Sequence, residues 1–94
     1  MSAKPNKFIG IGNLTGDPVM GSLQNGDIMC RFSMACNDHH VNIVMWREMA
    51  EIAEKYLKKG SRVYISGMIT TSTWDESGIT EIIAESMQKL DNEF

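Results

Sequence analysis

Hydrophobic and polar positions change their period twice along this chain. "KFIGIGNL", Lys7 to Leu14, is apolar enough for a strand but carries glycines at 10 and 12, which in a strand interior signal a bend, a bulge or the close approach of another backbone. "TGDP" and "QNGD" are turn signals, the second placing Asn25 and Gly26 in a hairpin. From Ile28 to Cys36 strict alternation puts Ile28, Cys30, Phe32, Met34 and Cys36 on one face and Met29, Arg31, Ser33 and Ala35 on the other. After a short connection, "HVNIVMW" reads as a third strand, with Val41, Ile43 and Met45 opposing His40, Asn42, Val44 and Trp46.

At Arg47 the period becomes helical. Met49, Ile52, Ala53, Tyr56 and Leu57 recur at three- and four-residue steps and define the apolar stripe. Glu51 with Lys55 and Glu54 with Lys58 form favourable outer pairs, and Gly60 is placed as the left-handed stop. "SRVYISGMIT" is a fourth strand, with Val63, Ile65, Gly67 and Ile69 opposite Arg62, Tyr64, Ser66 and Met68; "WDESG" is a turn and "ITEIIAESMQKL" a fifth strand. Three strands, one helix and a closing hairpin predict an all-β fold: a five-stranded OB-fold Greek-key barrel with one α-helix between strands 3 and 4. A ferredoxin-like domain would need a helix between the first two strands, and the pattern offers none there.

Length and charge narrow the picture. With 94 residues the chain is a single domain, residues 1–94, with residues 1–6 read as a flexible tail and 91–94 as a short acidic end. No apolar run approaches the roughly 20 residues that span a bilayer, so the reading is a soluble cytoplasmic protein with no membrane partner. Cys30 and Cys36, six residues apart on one strand, would lie about 20 Å apart, too far for a disulfide, and both are read as reduced and buried. A net charge of −3 argues against coating nucleic acid by bulk positive charge but leaves room for a local basic groove.

The chain resembles the bacterial-type single-stranded DNA-binding proteins. "NKFIGIGNLTGDPV" (Asn6 to Val19), "NGD" with "RFSMA" (Asn25 to Ala35), the block from Trp46 through "EIAEKYLKKGSRVYISG" to Gly67, and the Trp74 turn with "GITEIIAESMQKL" carry the likeness in order and spacing, from about residue 6 to about residue 90. The resemblance implies sequence-independent binding of single-stranded DNA in replication, recombination or repair, by stacking of bases on surface aromatics. The positions that match are Trp74 in the loop leaving the fourth strand and Trp46 at the end of the third; His40 departs from the pattern, standing where a stacking tryptophan is usual, and is a candidate with Tyr64 on the outer strand face. Trp46 has a second reading as a core residue beside the helix, and Tyr64 as a packing residue with a wet hydroxyl. Lys7, Arg31, Arg47, Lys59 and Arg62 are the candidate phosphate contacts, and solvated surface charge is the plainer alternative for each.

The family also implies a homotetramer or homodimer built through the first strand, around Lys7, Phe8, Ile9, Gly10 and Ile11, and association with replication or recombination proteins near the nucleoid. The chain departs from the pattern in a short "NDHH" connection where a long gripping loop is usual. Thr70, Ser72, Thr73 and Asn42 occupy positions that are often basic, and "LDNEF" ends the chain without the usual linker. These features suggest a reduced form, such as a phage- or plasmid-borne one, with fewer phosphate contacts and a shallower salt dependence. A different class of function, an OB-fold protein-interaction module with weak DNA binding, fits the acidic balance.

Other chemistry finds little support. Adjacent His39 and His40 on a strand point to opposite faces, so Cys36, Asp38, His39 and His40 do not converge on a metal. "GIGNLTG" lacks the spacing of a dinucleotide fingerprint. Met29, Met45 and Met68, three of eight methionines, read as core or interface filler. No nucleophile with a paired base can be assembled, which predicts a protein that is not an enzyme and needs no cofactor.

Overall fold

The computed structural model describes residues 7–71 and 80–90. Its elements are β1 (Lys7–Leu14), β2 (Val19–Ser22), β3 (Ile28–Cys36), β4 (His39–Trp46), α1 (Arg47–Tyr56), β5 (Arg62–Thr71) and β6 (Thr80–Lys89). The sheet runs β1-β5-β6-β4-β3-β2, and β1 also pairs with β3 through Asn13 and Leu14, which closes β1, β3, β4, β6 and β5 into a five-stranded barrel. All pairings are antiparallel except β4 with β6. This is the OB barrel the pattern predicts, with the helix between the third and fourth barrel strands.

One strand was not foreseen. β2 is a four-residue arm paired with the start of β3, Val19 opposite Arg31 and Ser22 opposite Ile28. Only Met20 of this arm packs against the core, so its pattern is too short to show a period. The hairpin that joins β2 to β3 behaves as its residues dictate. Leu23 N–H donates to Asp27 O at 2.8 Å, Gly26 takes φ +94°, and Asn25 Oδ1 accepts from Asp27 N–H at 3.0 Å.

The core follows the alternation. Cys30, Met34, Ile43, Met45, Val63, Ile65 and Ile82 are fully enclosed, and Phe32 and Leu14 nearly so. Two glycines are demanded by close approach: a Cβ on Gly12 would strike the carbonyl oxygen of Ala35, and one on Gly67 the carbonyl oxygen of Ile83. Gly12 lies where β1 passes from β5 to β3, and Gly67 at the irregularity in the β5–β6 register. The interior-glycine signal thus marks a backbone crossing.

The fold corrects three readings. The buried stripe of α1 is Ala50 and Ala53, continued by Leu57, while Ile52 is 45% and Tyr56 55% exposed. Small alanines let the helix settle closely onto β3 and β4, which rotates Ile52 and Tyr56 out to the flank. Gly60 is left-handed, with φ +93°, but it does not end the helix; α1 stops at Tyr56, followed by extended Leu57, and Gly60 sits in the turn Lys58–Ser61. There Ser61 N–H donates to Lys58 O at 2.9 Å and Ser61 Oγ accepts from Lys58 N–H at 3.0 Å, while Gly60 N–H donates to Leu14 O at 2.8 Å and anchors β1. Cys36 is half-buried rather than buried, and both cysteines are free thiols.

Candidate nucleic-acid interface

The outer face of the barrel is built by register. Alternation turns Arg31 and Met29 of β3, and Asn42, Val44 and Trp46 of β4, away from the core that Phe32, Ile43 and Met45 fill. Pairing then sets Lys7 opposite Met68, Met68 opposite Ile83, Ile83 beside Val44, Val44 opposite Arg31, and Arg31 opposite Val19. One residue from each of the six strands therefore forms a continuous row. Its middle is apolar, and Lys7 and Arg31 flank that middle. Met68 is 41%, Ile83 36% and Val19 68% exposed. Trp46 opposite Met29 makes a second, shorter row beside it.

Trp46 owes its place to a sharp change in backbone. It is the extended N-cap of α1, with φ −120° and ψ 147°, and the next residue, Arg47, takes φ +55°. A left-handed arginine costs about 1–2 kcal/mol. That bend sends the chain into the helix while Trp46 stays on the sheet's outer face, half-buried. It does not enter the core, whose inward neighbours on this strand are Ile43 and Met45.

Three of the candidate cations meet carboxylates. Lys7 Nζ lies 2.8 Å from Glu85 Oε1, Arg31 Nη2 3.6 Å from Glu81 Oε2, and Arg47 Nη2 3.3 Å from Asp27 Oδ2. The Arg31–Glu81 pair bridges over β4 at Asn42 and Val44, and Val44 beneath it is only 4% exposed.

The structure brings Lys7, Arg31, Arg47 and Trp46 toward one surface and separates the other candidates from it. His40 shares the outer face of β4 with Trp46 but lies six residues away, about 20 Å. It instead lines a groove of about 510 Å³ with Phe8, Ile9, Ile11, Cys36 and His39. Tyr64 stands between Ile11 and Gln88, four residues along β5 from the belt residue Met68. Arg62, opposite Asn13, and Lys59, whose N–H donates to Asp17 Oδ1 at 2.8 Å, lie at the end of the barrel where α1 leads into β5. Trp74, Ser72, Thr73 and the acidic end lie outside the described residues.

Of the methionines read as filler, only Met45 is in the core; Met29 and Met68 belong to the outer face, where Val19 and Ile83 are exposed and Val44 is buried beneath the Arg31–Glu81 pair. Alternation had already put Val44 on the polar side of its strand. Among the described residues no group of His, Cys, Asp and Glu could hold a metal ion. The Cys30 thiol is pushed up to about 11 by burial, with Glu54 adding to the shift, and Cys36 is raised by burial.

An OB barrel with an outer face of this kind defines a class of binding domains that engage extended polymers. Comparison with known proteins gives the family. The model of the single-strand binding protein family matches residues 5–90, and the chain belongs to that family. It is 37% identical over 102 residues to a single-stranded DNA-binding protein of Caldanaerobacter subterraneus subsp. tengcongensis, covering 92% of this chain and 68% of that protein. It is 33% identical over 102 residues to one of Halalkalibacterium halodurans, covering 92% and 61%. A crystal structure of a deletion mutant of the single-stranded DNA binding protein from Thermus aquaticus superposes with a TM-score of 0.83 at 28% identity, over 95% of this chain and 42% of that one. The chain thus spans between two fifths and about two thirds of the length of these proteins.

Proposed function

We propose that this chain binds single-stranded DNA without sequence preference. The observation that carries the reading is the apolar belt, with Lys7 and Arg31 flanking its middle and Trp46 beside it, on a barrel of the single-strand binding protein family. Unpaired bases present flat apolar faces that suit thioether, aliphatic and indole surfaces, and stacking on an aromatic is worth about 1–3 kcal/mol per base whatever the base. Lys7, Arg31 and Arg47 are the phosphate contacts nearest the belt, with Lys59 and Arg62 further along the strand's path. Trp74, and His40 and Tyr64 apart from the belt, are further stacking candidates for a longer path of the strand, and the work served is replication, recombination or repair in the cytoplasm, at the nucleoid. No helix among the described residues is long and apolar enough to cross a membrane.

Self-association belongs to the same reading. Among the described residues Lys7–Gly12 pairs only with β5, and Ile9 is 68% and Ile11 49% exposed. An open strand edge with exposed isoleucines favours pairing with a second copy as a dimer, or a tetramer of two such dimers. Linked copies would raise the affinity of weak individual sites.

Tryptophan fluorescence during titration with oligo(dT), at low and moderate salt, tests the binding. Trp46→Phe and Trp74→Phe each leave one indole as reporter. Quenching in wild type supports the proposal, and its absence at low salt refutes it. The second reading, a protein-interaction module with weak DNA binding, is favoured by the carboxylates paired with Lys7, Arg31 and Arg47. Absence of quenching together with a size shift on adding a replication or recombination protein would establish it.

A further inference from the structure

Strand β6 supplies a carboxylate to each of the two cations that flank the middle of the belt. Glu81 reaches across β4 to Arg31, and Glu85 reaches Lys7 across β5. Both pairs are exposed, with side chains 34–57% accessible, so neither is needed to satisfy a buried charge. Glu81 anchors the barrel independently of its side chain, since its backbone carbonyl accepts from Thr70 Oγ1 at 3.2 Å. The two carboxylates therefore add little to the fold, yet they stand where a nucleic-acid phosphate would meet Lys7 and Arg31.

We propose that Glu81 and Glu85 set the affinity for single-stranded DNA by holding Arg31 and Lys7 in ion pairs that each phosphate must displace. The inference rests on the proposed binding of single-stranded DNA to the belt. A cation already paired with a carboxylate gives up that partner when a phosphate arrives, and the freed carboxylate recruits a solution cation. The ions released from the DNA are then matched by ions taken up by the protein, so the pair adds almost nothing to the salt dependence. The Arg31–Glu81 contact, at 3.6 Å between exposed side chains, is the looser of the two. The belt then binds chiefly through base contacts, and its cations become fully available only when the carboxylates are neutralised.

The test is oligo(dT) titration of the full chain and of Glu81→Gln, Glu85→Gln and the double variant, at several salt concentrations, with Glu51→Gln on the exposed face of α1 as a control for net charge. Each belt variant is expected to bind about two- to five-fold tighter, the range an exposed ion pair can account for. The salt slope should steepen by about 0.7 for each cation released. Arg31→Gln should abolish the gain from Glu81→Gln. Belt variants that gain no more than Glu51→Gln, or that bind more weakly than wild type, overturn the proposal while leaving single-strand binding intact. A wild type that fails to bind oligo(dT) at low salt removes both.

Discussion

Trp46 and Met29 face each other across the β3–β4 ladder, on the outer side of a barrel whose inner side at the same level is closed by Cys30 and Met45. An indole backed by a thioether is held in place by packing yet keeps part of its ring toward solvent, which suits a stacking platform. Trp46→Ala should therefore weaken oligo(dT) binding by about 1–3 kcal/mol, and Trp46→Phe by much less. Equilibrium binding by anisotropy of a labelled oligonucleotide measures both, and equal losses in the two variants would mean that the ring does not stack.

Gly12 and Gly16 should respond oppositely to the same change. A methyl at Gly12 meets the Ala35 carbonyl, a backbone atom fixed in the barrel closure, whereas one at Gly16 meets nothing within 4 Å. Gly12→Ala is expected to destabilise by about 1–3 kcal/mol. Gly16→Ala should be neutral or stabilise by up to about 1 kcal/mol, because it restricts the unfolded chain. Urea denaturation of both variants gives the comparison.

Alkaline pH should loosen the fold through Cys30. Its thiol is held up to about 11 by burial and by Glu54, while a thiol in the unfolded chain ionises near 8.5. Folding therefore favours the protonated form. The associated stability is complete below about pH 8.5 and is lost as pH rises toward 11. Urea midpoints across that window should fall less steeply in Cys30→Ala, whose overall stability is lower for want of the buried sulfur. Parallel curves would show that Cys30 does not contribute.

Self-association is expected to depend on the exposed face of β1. Ile9→Lys adds a charge at a site already 68% exposed, so it should leave the melting temperature of the monomer unit close to wild type while shifting the species toward monomer in light scattering. Unchanged mass would place any interface elsewhere.

Much of this architecture was legible from the pattern, and the parts that were not have physical reasons. β3 could be read residue by residue because Cys30, Phe32 and Met34 are buried while the alternate residues Met29, Arg31, Ser33 and Ala35 are not, so burial and alternation agree. The arm β2 has a single inward residue, Met20, and therefore no period to detect. On α1, Ile52 and Tyr56 outweigh Ala50 in any hydrophobic count, yet close helix packing prefers the alanines. Trp46, Lys7 and Arg31 were named from the resemblance and the alternation, but the belt that joins them depends on which residues stand opposite one another across six strands. That register arises from barrel closure at Gly12 and the irregularity at Gly67, not from any local stretch. Met68 and Ile83 could be recognised as belt residues only once those pairings were known.

The most direct test of the account is amide chemical-shift mapping of the isotope-labelled chain titrated with oligo(dT). The account predicts changes concentrated at Arg31, Val44, Trp46, Met68 and Ile83, with Ile52 and Tyr56 on the outer flank of α1 undisturbed. Changes centred on α1 while the belt stays unchanged would contradict it.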